Sequence, residues 1–175
     1  RLMQHFSIST PMLAVHDHNE RARAKILVQK LAQGQSIALI SDAGTPLISD
    51  PGYHLVNAVR NAGYKVVPVV GPCALIAGLS VAGLATDRFS FYGFLPAKSS
   101  GRKQQLQQLV SVTPTQIFYE SPHRIVATVD DIVAVMGANR QLLLARELTK
   151  TFETIFSAKA SEVKCWLGAD HNQQN

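Results

Sequence analysis

The sequence lacks the features of a secreted, metal-stabilised or membrane-spanning protein. Its 175 residues include only two cysteines, Cys73 and Cys165, and no CxxC pair. We therefore expect free thiols, with neither a disulfide framework nor a structural metal site. The longest apolar runs, residues 66–70 and 73–79, are much shorter than a bilayer requires. No membrane span is predicted, residues 1–7 do not resemble a secretion signal, and a cytoplasmic setting is expected.

Two common nucleotide-binding motifs are also missing. Neither GxxxxGK[ST] nor GxGxxG occurs, which excludes a P-loop and the usual dinucleotide turn. The segment His16-Asp17-His18 offers two imidazoles, but two ligands do not make a metal site. Hydrogen bonding ahead of the following helix is predicted for it instead, and no metal is expected.

Positive charge exceeds negative charge. The formal net charge is +5 and the isoelectric point is about 9.4, which fits a polyanionic partner as well as an ordinary basic enzyme. Between Arg88 and Tyr119 there are four basic residues and no acidic one. This region is either a solvated surface or an edge that contacts phosphate groups.

The first half of the chain alternates helices and strands. Residues 14–15 are a possible short strand, and residues 19–32 are predicted to form a helix with an apolar stripe of Ala22, Ile26, Leu27 and Leu31. Strands are predicted at 36–41 and 65–70. Between them lies a helix that Asp50 would cap, with Pro51 at its first position. This order indicates an α/β fold with a parallel sheet layered by helices.

The second half repeats the alternation, and Ser121-Pro122 makes a second cap-plus-proline helix start. We predict strands at 89–94, 115–119, 141–146 and 152–157, and helices at 102–110, 122–136 and 161–167. A domain boundary near 86–87 would give two lobes, residues 1–86 and 87–175. Only the tail, residues 168–175, is predicted to be disordered.

Two loops rich in glycine and proline follow predicted strands. The first is "SDAGTPLISDPG", residues 41–52, and the second is "GPCA", residues 71–74. Loops at the carboxyl ends of parallel strands are where open α/β sheets bind ligands. Adjacent loops could form one pocket, although glycine, proline and aspartate are also ordinary turn residues. Both readings remain open from composition alone.

Five ordered motifs carry a resemblance to a known family. "LISDAGTPLISDPG", "VVPVVGPCA", "GFLPAKSSGRK", "IFYESPHRI" and "LARELTKTFET" together resemble the ribosomal RNA small subunit methyltransferase I family, of the tetrapyrrole methylase superfamily. That family methylates a cytidine ribose 2′-hydroxyl. The resemblance implies a two-lobed class III methyltransferase fold, S-adenosyl-L-methionine bound between the lobes, and a homodimer. Small-subunit ribosomal RNA or the 30S subunit would be the partner.

By this resemblance, both loops hold the cofactor. Asp42 could also complement the donor's positive charge, or it could cap its own backbone. The cofactor-binding residues implied are Asp42, Ala43, Gly44, Thr45, Pro46, Leu47, Ile48, Gly71, Pro72, Cys73 and Ala74.

The junction after residue 119 offers groups for proton transfer to and from a ribose hydroxyl. Glu120 or His123 could accept the proton, and Arg124 could hold a phosphate or an oxyanion. The alternative is that Ser121 caps the helix and Glu120 merely pairs with Arg124. The residues predicted to contact RNA are Lys98, Arg102, Lys103, Arg146 and Lys150.

Two other functions fit the same residues. One is a small-molecule tetrapyrrole methylase of the same superfamily, and the other is a non-catalytic RNA-binding module. Family members begin with a strand and a glycine-rich loop that would precede Arg1, and they end with a further strand. We therefore expect a fold truncated at both ends, a helix remnant at residues 1–6, and altered or absent cofactor affinity.

Overall fold

The computed structural model describes residues 2–169. The chain forms two compact units, one running to Pro72 and the other beginning at Cys73. The predicted lobe boundary at 86–87 therefore lies inside the second unit. Thr115 is one reason, because its hydroxyl donates to Ala85 O at 2.6 Å and its N–H to Arg88 O at 3.2 Å. The compact units and the predicted lobes are thus divided at different places.

The first unit is built on two packed helices. Its helices are α1 (Leu2–His5), α2 (Glu20–Ala32) and α3 (Tyr53–Asn61). The core joins Ala24 and Leu27 of α2 to Leu55 of α3. The predicted stripe on α2 is therefore only partly correct, because Ala22 and Ile26 are exposed. The helix remnant expected near the start corresponds to α1, and Arg1 lies outside the described residues.

The N-terminus of helix α3 is capped by a side chain of α2 and not by the residues that precede α3 in the chain. The predicted cap Asp50 and first-turn Pro51 are wrong, because α3 begins at Tyr53 after Gly52. Glu20 is 4% exposed, and its Oε1 accepts a hydrogen bond from Leu55 N–H at 3.0 Å. A carboxylate at this position satisfies an orphan donor and complements the positive end of the helix dipole. The contact also joins α2 to α3.

None of the three strands predicted in the first unit is a strand in the described chain. Residues 14–15, 36–41 and 65–70 are assigned no regular secondary structure. A strand exists only with a hydrogen-bonded neighbour, and no ladder pairs these segments within the described residues. Most of their apolar side chains are exposed, including Ile40 at 53% and Val69 at 91%, whereas Leu39 packs against the core of α2 and α3.

The second unit alternates helices and strands as predicted. Its elements in chain order are α4 (Ala74–Ser80), β1 (Phe89–Phe94), α5 (Ser99–Leu109), β2 (Thr115–Tyr119), α6 (Ile125–Met136), β3 (Gln141–Arg146), β4 (Thr154–Lys159) and α7 (Ala160–Ala169). Strands β1 and β2 pair in parallel, with Phe89 opposite Thr115. Strands β3 and β4 form an antiparallel pair with Gln141 opposite Lys159. The parallel sheet predicted for the first half is thus not found in the described residues, and parallel pairing occurs between β1 and β2 of the second unit.

The predicted bounds of β1, β2 and β3 are confirmed, and the others differ. Strand β4 begins at Thr154 instead of 152, and α5 begins at Ser99 instead of 102. Pro122 was predicted to open a helix, but residues 122–124 form a turn and α6 begins at Ile125. Ser121 does not cap it with its side chain; its carbonyl accepts hydrogen bonds from Arg124 and Ile125 N–H. Of the tail predicted to be disordered, residues 168–169 end α7 and the rest lies outside the described residues.

The core of the second unit lies where α5, α6 and α7 cover the strands. Leu106, Ile132 and Ala160 belong to one buried cluster. Val163 and Leu167 of α7 belong to another, against which Phe156 and Trp166 stack with ring centroids 4.8 Å apart. Burial of such side chains contributes roughly 1.5–3 kcal/mol each relative to exposure. This packing fixes the end of β2 and the start of α6, which carry Glu120 and Arg124.

Candidate functional site

The glycine-proline loop, residues 41–52, has an unusually strained backbone. Gly44 and Gly52 have φ values of 76° and 135°, which glycine adopts without a Cβ penalty. Leu47 and Ser49 have φ values of 72° and 60° without that freedom. Such residues cost of order 1–3 kcal/mol each and cluster at ligand-binding segments. Positive φ values therefore occur at Gly44 and Leu47, two of the residues predicted to bind the cofactor.

A hydrogen bond joins the glycine-proline loop to the second predicted loop. Thr45 Oγ1 donates to Pro72 O at 2.7 Å. Ser41 Oγ holds the start of the loop by donating to Ala43 O at 3.1 Å and to Gly44 O at 3.2 Å. The two loops are thus adjacent at Pro72. This contact was not predicted, although a hydroxyl residue between glycine and proline was the available signal.

The predicted cofactor residues differ in exposure. Thr45, Pro46 and Leu47 are half-buried, whereas Asp42, Ala43, Gly44, Ile48, Gly71 and Pro72 are exposed. The half-buried residues anchor the loop, and the exposed ones leave backbone groups accessible to a ligand. Cys73 and Ala74 begin the second unit, where half-buried Cys73 precedes helix α4.

Glu120 and Arg124 are brought together at the start of α6. Arg124 Nη2 lies 3.2 Å from Glu120 Oε2, and it also donates to Leu95 O at 2.6 Å. Arg124 Nε lies 3.2 Å from Glu120 Oε1 but is not aimed at it as a hydrogen bond. The pairing that the sequence left as an alternative therefore exists. It fixes the guanidinium between a carboxylate and a backbone carbonyl.

The Glu120 carboxylate is occupied on both oxygens. Its Oε1 accepts from Ser121 N–H at 2.8 Å, and its Oε2 accepts from Thr128 Oγ1 at 2.7 Å. The side chain is only 7% exposed. These contacts suit a residue that positions Arg124 and the turn better than one that removes a proton. Thr128 was missed by sequence reasoning, although it follows Arg124 by one helical turn. His123 is exposed and takes no part in these contacts.

Arg102 has a different role from the predicted RNA contact. It is 3% exposed, and its Nε lies 2.6 Å from Asp131 Oδ2 in a buried ion pair between α5 and α6. Ser99 Oγ donates to the same carboxylate at 3.0 Å. Burial would raise the pKa of Asp131, but these hydrogen bonds and the adjacent guanidinium hold it below its ordinary value. Arg102 is therefore inaccessible to an RNA phosphate.

The other predicted RNA contacts lie at or near the surface. Lys98 is exposed, and Lys103 is half-exposed with its Nζ 3.4 Å from Asp131 Oδ1. Arg146 is half-buried at the end of β3. Lys150 is exposed and pairs with Glu147 at 2.9 Å. The loop after β3 is strained, because Glu147 and Thr149 have φ values of 49° and 67°. It is a second strained segment that bears candidate residues.

The His16 prediction is confirmed. Its N–H donates to Asn19 Oδ1 at 2.9 Å, and its Nε2 lies 2.9 Å from Asn19 Nδ2, just before α2. Within residues 2–169, no three His, Cys, Asp or Glu side chains are grouped as a metal ion would need. None of the helices in that range has the length and apolar character required to cross a membrane.

Comparison with known proteins gives consistent matches. A protein from Vibrio cholerae named "Ribosomal RNA small subunit methyltransferase I" is 57% identical over 99% of this chain and 60% of its own length. A protein of the same name from Pseudomonas aeruginosa is 54% identical over 99% of this chain and 62% of its own length. The chain therefore spans about three fifths of the length of these relatives.

The fold has a structural counterpart. The crystal structure of the methyltransferase CobJ superposes with a TM-score of 0.62 at 18% identity, covering 88% of this chain and 66% of that one. A likeness at this identity shows the fold alone. The family model described as Tetrapyrrole (Corrin/Porphyrin) Methylases matches residues 2–164, which is nearly the whole chain. The chain therefore belongs to the tetrapyrrole (corrin/porphyrin) methylase family.

Proposed function

We propose that this chain carries S-adenosylmethionine-dependent 2′-O-methylation of a cytidine ribose in small-subunit ribosomal RNA. The observation that carries the proposal is the 57% identity over 99% of the chain to a protein named for methylation of this RNA. The strained glycine-proline loop and the basic net charge of +5 support it. Strained backbone is common at ligand-binding segments, and a positive net charge favours association with a polyanion.

The glycine-proline loop fits the proposed cofactor. S-adenosylmethionine supplies a methyl group on a sulfonium sulfur, which leaves as part of a neutral thioether. Residues 42–48 and 71–74 would hold it through exposed backbone groups, and the bond from Thr45 to Pro72 preforms part of that surface. Gly44 leaves room, because an added Cβ would meet only Pro72 O, at 3.9 Å. Positioning of this kind can supply roughly 7–11 kcal/mol of a reaction barrier.

The second unit supplies the proposed RNA contacts. Of the residues predicted to contact RNA, Lys98, Lys103 and Lys150 are accessible, and half-buried Arg146 lies beside the strained loop after β3. Arg124, held by Glu120, would grip a phosphate or the developing oxyanion. For the proton of the ribose hydroxyl, exposed His123 is favoured over Glu120. The reason is that the Glu120 oxygens already accept hydrogen bonds.

A labelled transfer assay tests the proposal. The protein is incubated with tritiated S-adenosylmethionine and small-subunit RNA, naked or assembled, and the RNA is then hydrolysed with alkali. Label in an alkali-resistant cytidine dinucleotide supports 2′-O-methylation, since methylation blocks cleavage at that ribose. Label in an added tetrapyrrole and not in RNA would indicate a small-molecule methylase. RNA retention without transfer, by a protein that calorimetry shows to bind S-adenosylmethionine, would indicate a binding module.

We also propose a homodimer and a cytoplasmic setting, where ribosomal subunits are available. Support for self-association comes from the exposed apolar side chains of residues 65–70, among them Val67 at 62% and Val70 at 100%. Exposed patches of this kind mark interaction surfaces.

A further inference from the structure

An open groove of about 540 Å³ runs between α2 and α3 in the first unit. We call it the α2–α3 groove. Besides small apolar side chains at its base, it is lined by six polar residues: Arg21, Lys25, Gln29, His54, Asn57 and Asn61. None of the six is acidic. The groove contains none of the cofactor, catalytic or RNA-contacting residues assigned above.

Helical spacing places these side chains along two facing edges. Arg21, Lys25 and Gln29 recur every four residues on α2, and so lie one above another on one face. His54, Asn57 and Asn61 follow the same rule on α3, at intervals of three and four. Asn61 Nδ2 donates to Asn57 Oδ1 at 2.7 Å, which orients that edge. The packing of Ala24 and Leu27 against Leu55 holds the two edges together.

The groove carries positive charge that nearby carboxylates do not neutralise. Helices α2 and α3 contain five basic residues and one acidic residue, Glu20. Glu20 is 4% exposed, and its Oε1 already accepts from Leu55 N–H. Every salt bridge found within residues 2–169 lies between residues 87 and 164. Arg21 and Lys25 are both exposed and belong to no such pair.

We propose that the α2–α3 groove binds the sugar-phosphate backbone of the RNA substrate. Arg21 and Lys25 would contact phosphates, and the amides with His54 would donate to or accept from phosphate oxygens and 2′-hydroxyls. This inference rests on the proposed function. The lining favours RNA over an acidic protein, because its apolar members are only Ala24, Val28 and Ala58. A protein partner would need a large apolar or aromatic anchor.

The test compares two doubly substituted proteins with the same loss of charge. One carries Arg21→Gln and Lys25→Gln in the groove, and the other carries Arg23→Gln and Lys30→Gln, on the same helix outside the lining residues. Binding to small-subunit RNA is measured by filter retention across a salt series. Thermal unfolding establishes that both variants fold.

We expect the groove variant to bind RNA about tenfold more weakly than the parent at about 50 mM salt, and less than about threefold more weakly at about 200 mM. The reason is that each lost phosphate contact reduces the slope of log affinity against log salt concentration by roughly 0.7–0.9. The control should follow the parent protein. Equal behaviour of the two variants would overturn the proposal and show a general charge effect. A lost affinity for acidic peptides, with RNA binding intact, would assign the groove to a protein partner.

Failure of this inference is distinguishable from failure of the proposed function. If the parent protein transfers label to RNA and the groove variant binds RNA like the parent, only the groove assignment is wrong. If the parent protein neither binds nor labels RNA, the proposed function itself is wrong.

Discussion

Asp131 is a buried charge on which the packing of α5 against α6 depends. Its carboxylate is held by Arg102 Nε at 2.6 Å and by Ser99 Oγ at 3.0 Å. We expect Asp131→Asn to lower the free energy of unfolding by about 3–5 kcal/mol, because it leaves the Arg102 guanidinium buried without a counter-charge. Urea denaturation at neutral pH measures this cost.

The neighbouring residue provides the control. Asp130 pairs with Lys164 at 2.9 Å, but both side chains are about half exposed, at 45% and 53%. Asp130→Asn should therefore leave the free energy of unfolding nearly unchanged, since solvent screens such pairs. Equal costs for the two substitutions would contradict a specific role for the buried pair.

The contribution of Asp131 to the free energy of unfolding should decrease in acid. Although burial opposes its ionisation, the hydrogen bonds from Arg102 and Ser99 hold its pKa below the ordinary value of 3.8. A carboxyl group whose pKa is lower in the folded protein than in the unfolded chain stabilises the fold fully at pH values above its unfolded-state pKa. This stabilisation is lost as the pH falls through the folded-state pKa. The difference between the parent and Asp131→Asn should thus be constant near neutrality and narrow below about pH 4. A difference that widens in acid would contradict the assignment.

Arg102 also shows what sequence reasoning could have found at the scale of one residue. Its place among Lys98 and Lys103 suggested a solvated basic segment. However, Arg102 stands four and seven residues before Leu106 and Leu109, which are both buried on α5. That spacing puts it on the apolar face. Its partner Asp131 lies in a mainly apolar helix 29 residues away, so the pair itself could not be read from either segment alone.

At the scale of elements, the glycine-proline loop depends on Gly52. A Cβ there would lie 2.7 Å from Leu47 Cδ1 and 3.1 Å from Leu39 Cδ2, and φ is 135°. Gly63 has a φ of 84° but nothing within 4 Å of such a Cβ. We expect Gly52→Ala to destabilise the fold by about 1–3 kcal/mol more than Gly63→Ala, because overlap is added to backbone strain. Thermal unfolding measures the midpoint of each variant. Equal shifts of the two midpoints would mean that the loop relaxes to accommodate the added Cβ.

The link between the two loops gives another prediction at this scale. Thr45→Val removes the hydroxyl that donates to Pro72 O at 2.7 Å but keeps the shape of the side chain. We expect weaker S-adenosylmethionine binding by about five- to tenfold, since a hydrogen bond of this kind contributes about 1 kcal/mol to loop order. Thr45→Ser, which keeps the hydroxyl, should restore most of the affinity in calorimetry. Loss in both variants would indicate a packing role for the methyl group instead.

Elements of the second unit were predictable because their signals are local. Strands β1, β2 and β3 are short apolar runs between turn residues, and each finds its partner in the described chain. Residues 36–41 and 65–70 carry the same local signal but pair with no strand among residues 2–169. Hydrogen-bonded pairing is non-local, so an apolar run alone does not determine it. The cap of α3 was missed for the same reason, because Glu20 reaches Leu55 across 35 residues.

At the scale of the whole molecule, charge pairing is uneven along the chain. All the salt bridges found within residues 2–169 belong to the second unit, although basic residues occur in both. Composition gave the net charge, but which cations are neutralised depends on tertiary contacts. Lys103 lies near Asp131, for example, whereas Arg21 and Lys25 of the α2–α3 groove have no such pair in the described chain.

The exposed apolar side chains of residues 65–70 predict self-association of the whole molecule. Val67 and Val69 are 62% and 91% exposed in a segment that pairs with no strand in the part of the chain that the structure describes. Replacing both with lysine should weaken dimerisation at least about tenfold, because each buried valine contributes roughly 1.5 kcal/mol and lysine also blunts strand pairing. The control replaces Val81 and Val110, exposed at 49% and 37% in the second unit, with the same added charge. Sedimentation velocity over a concentration series measures both. A monomeric parent would contradict the proposed homodimer, and equal weakening in the two variants would attribute the effect to charge and not to residues 65–70.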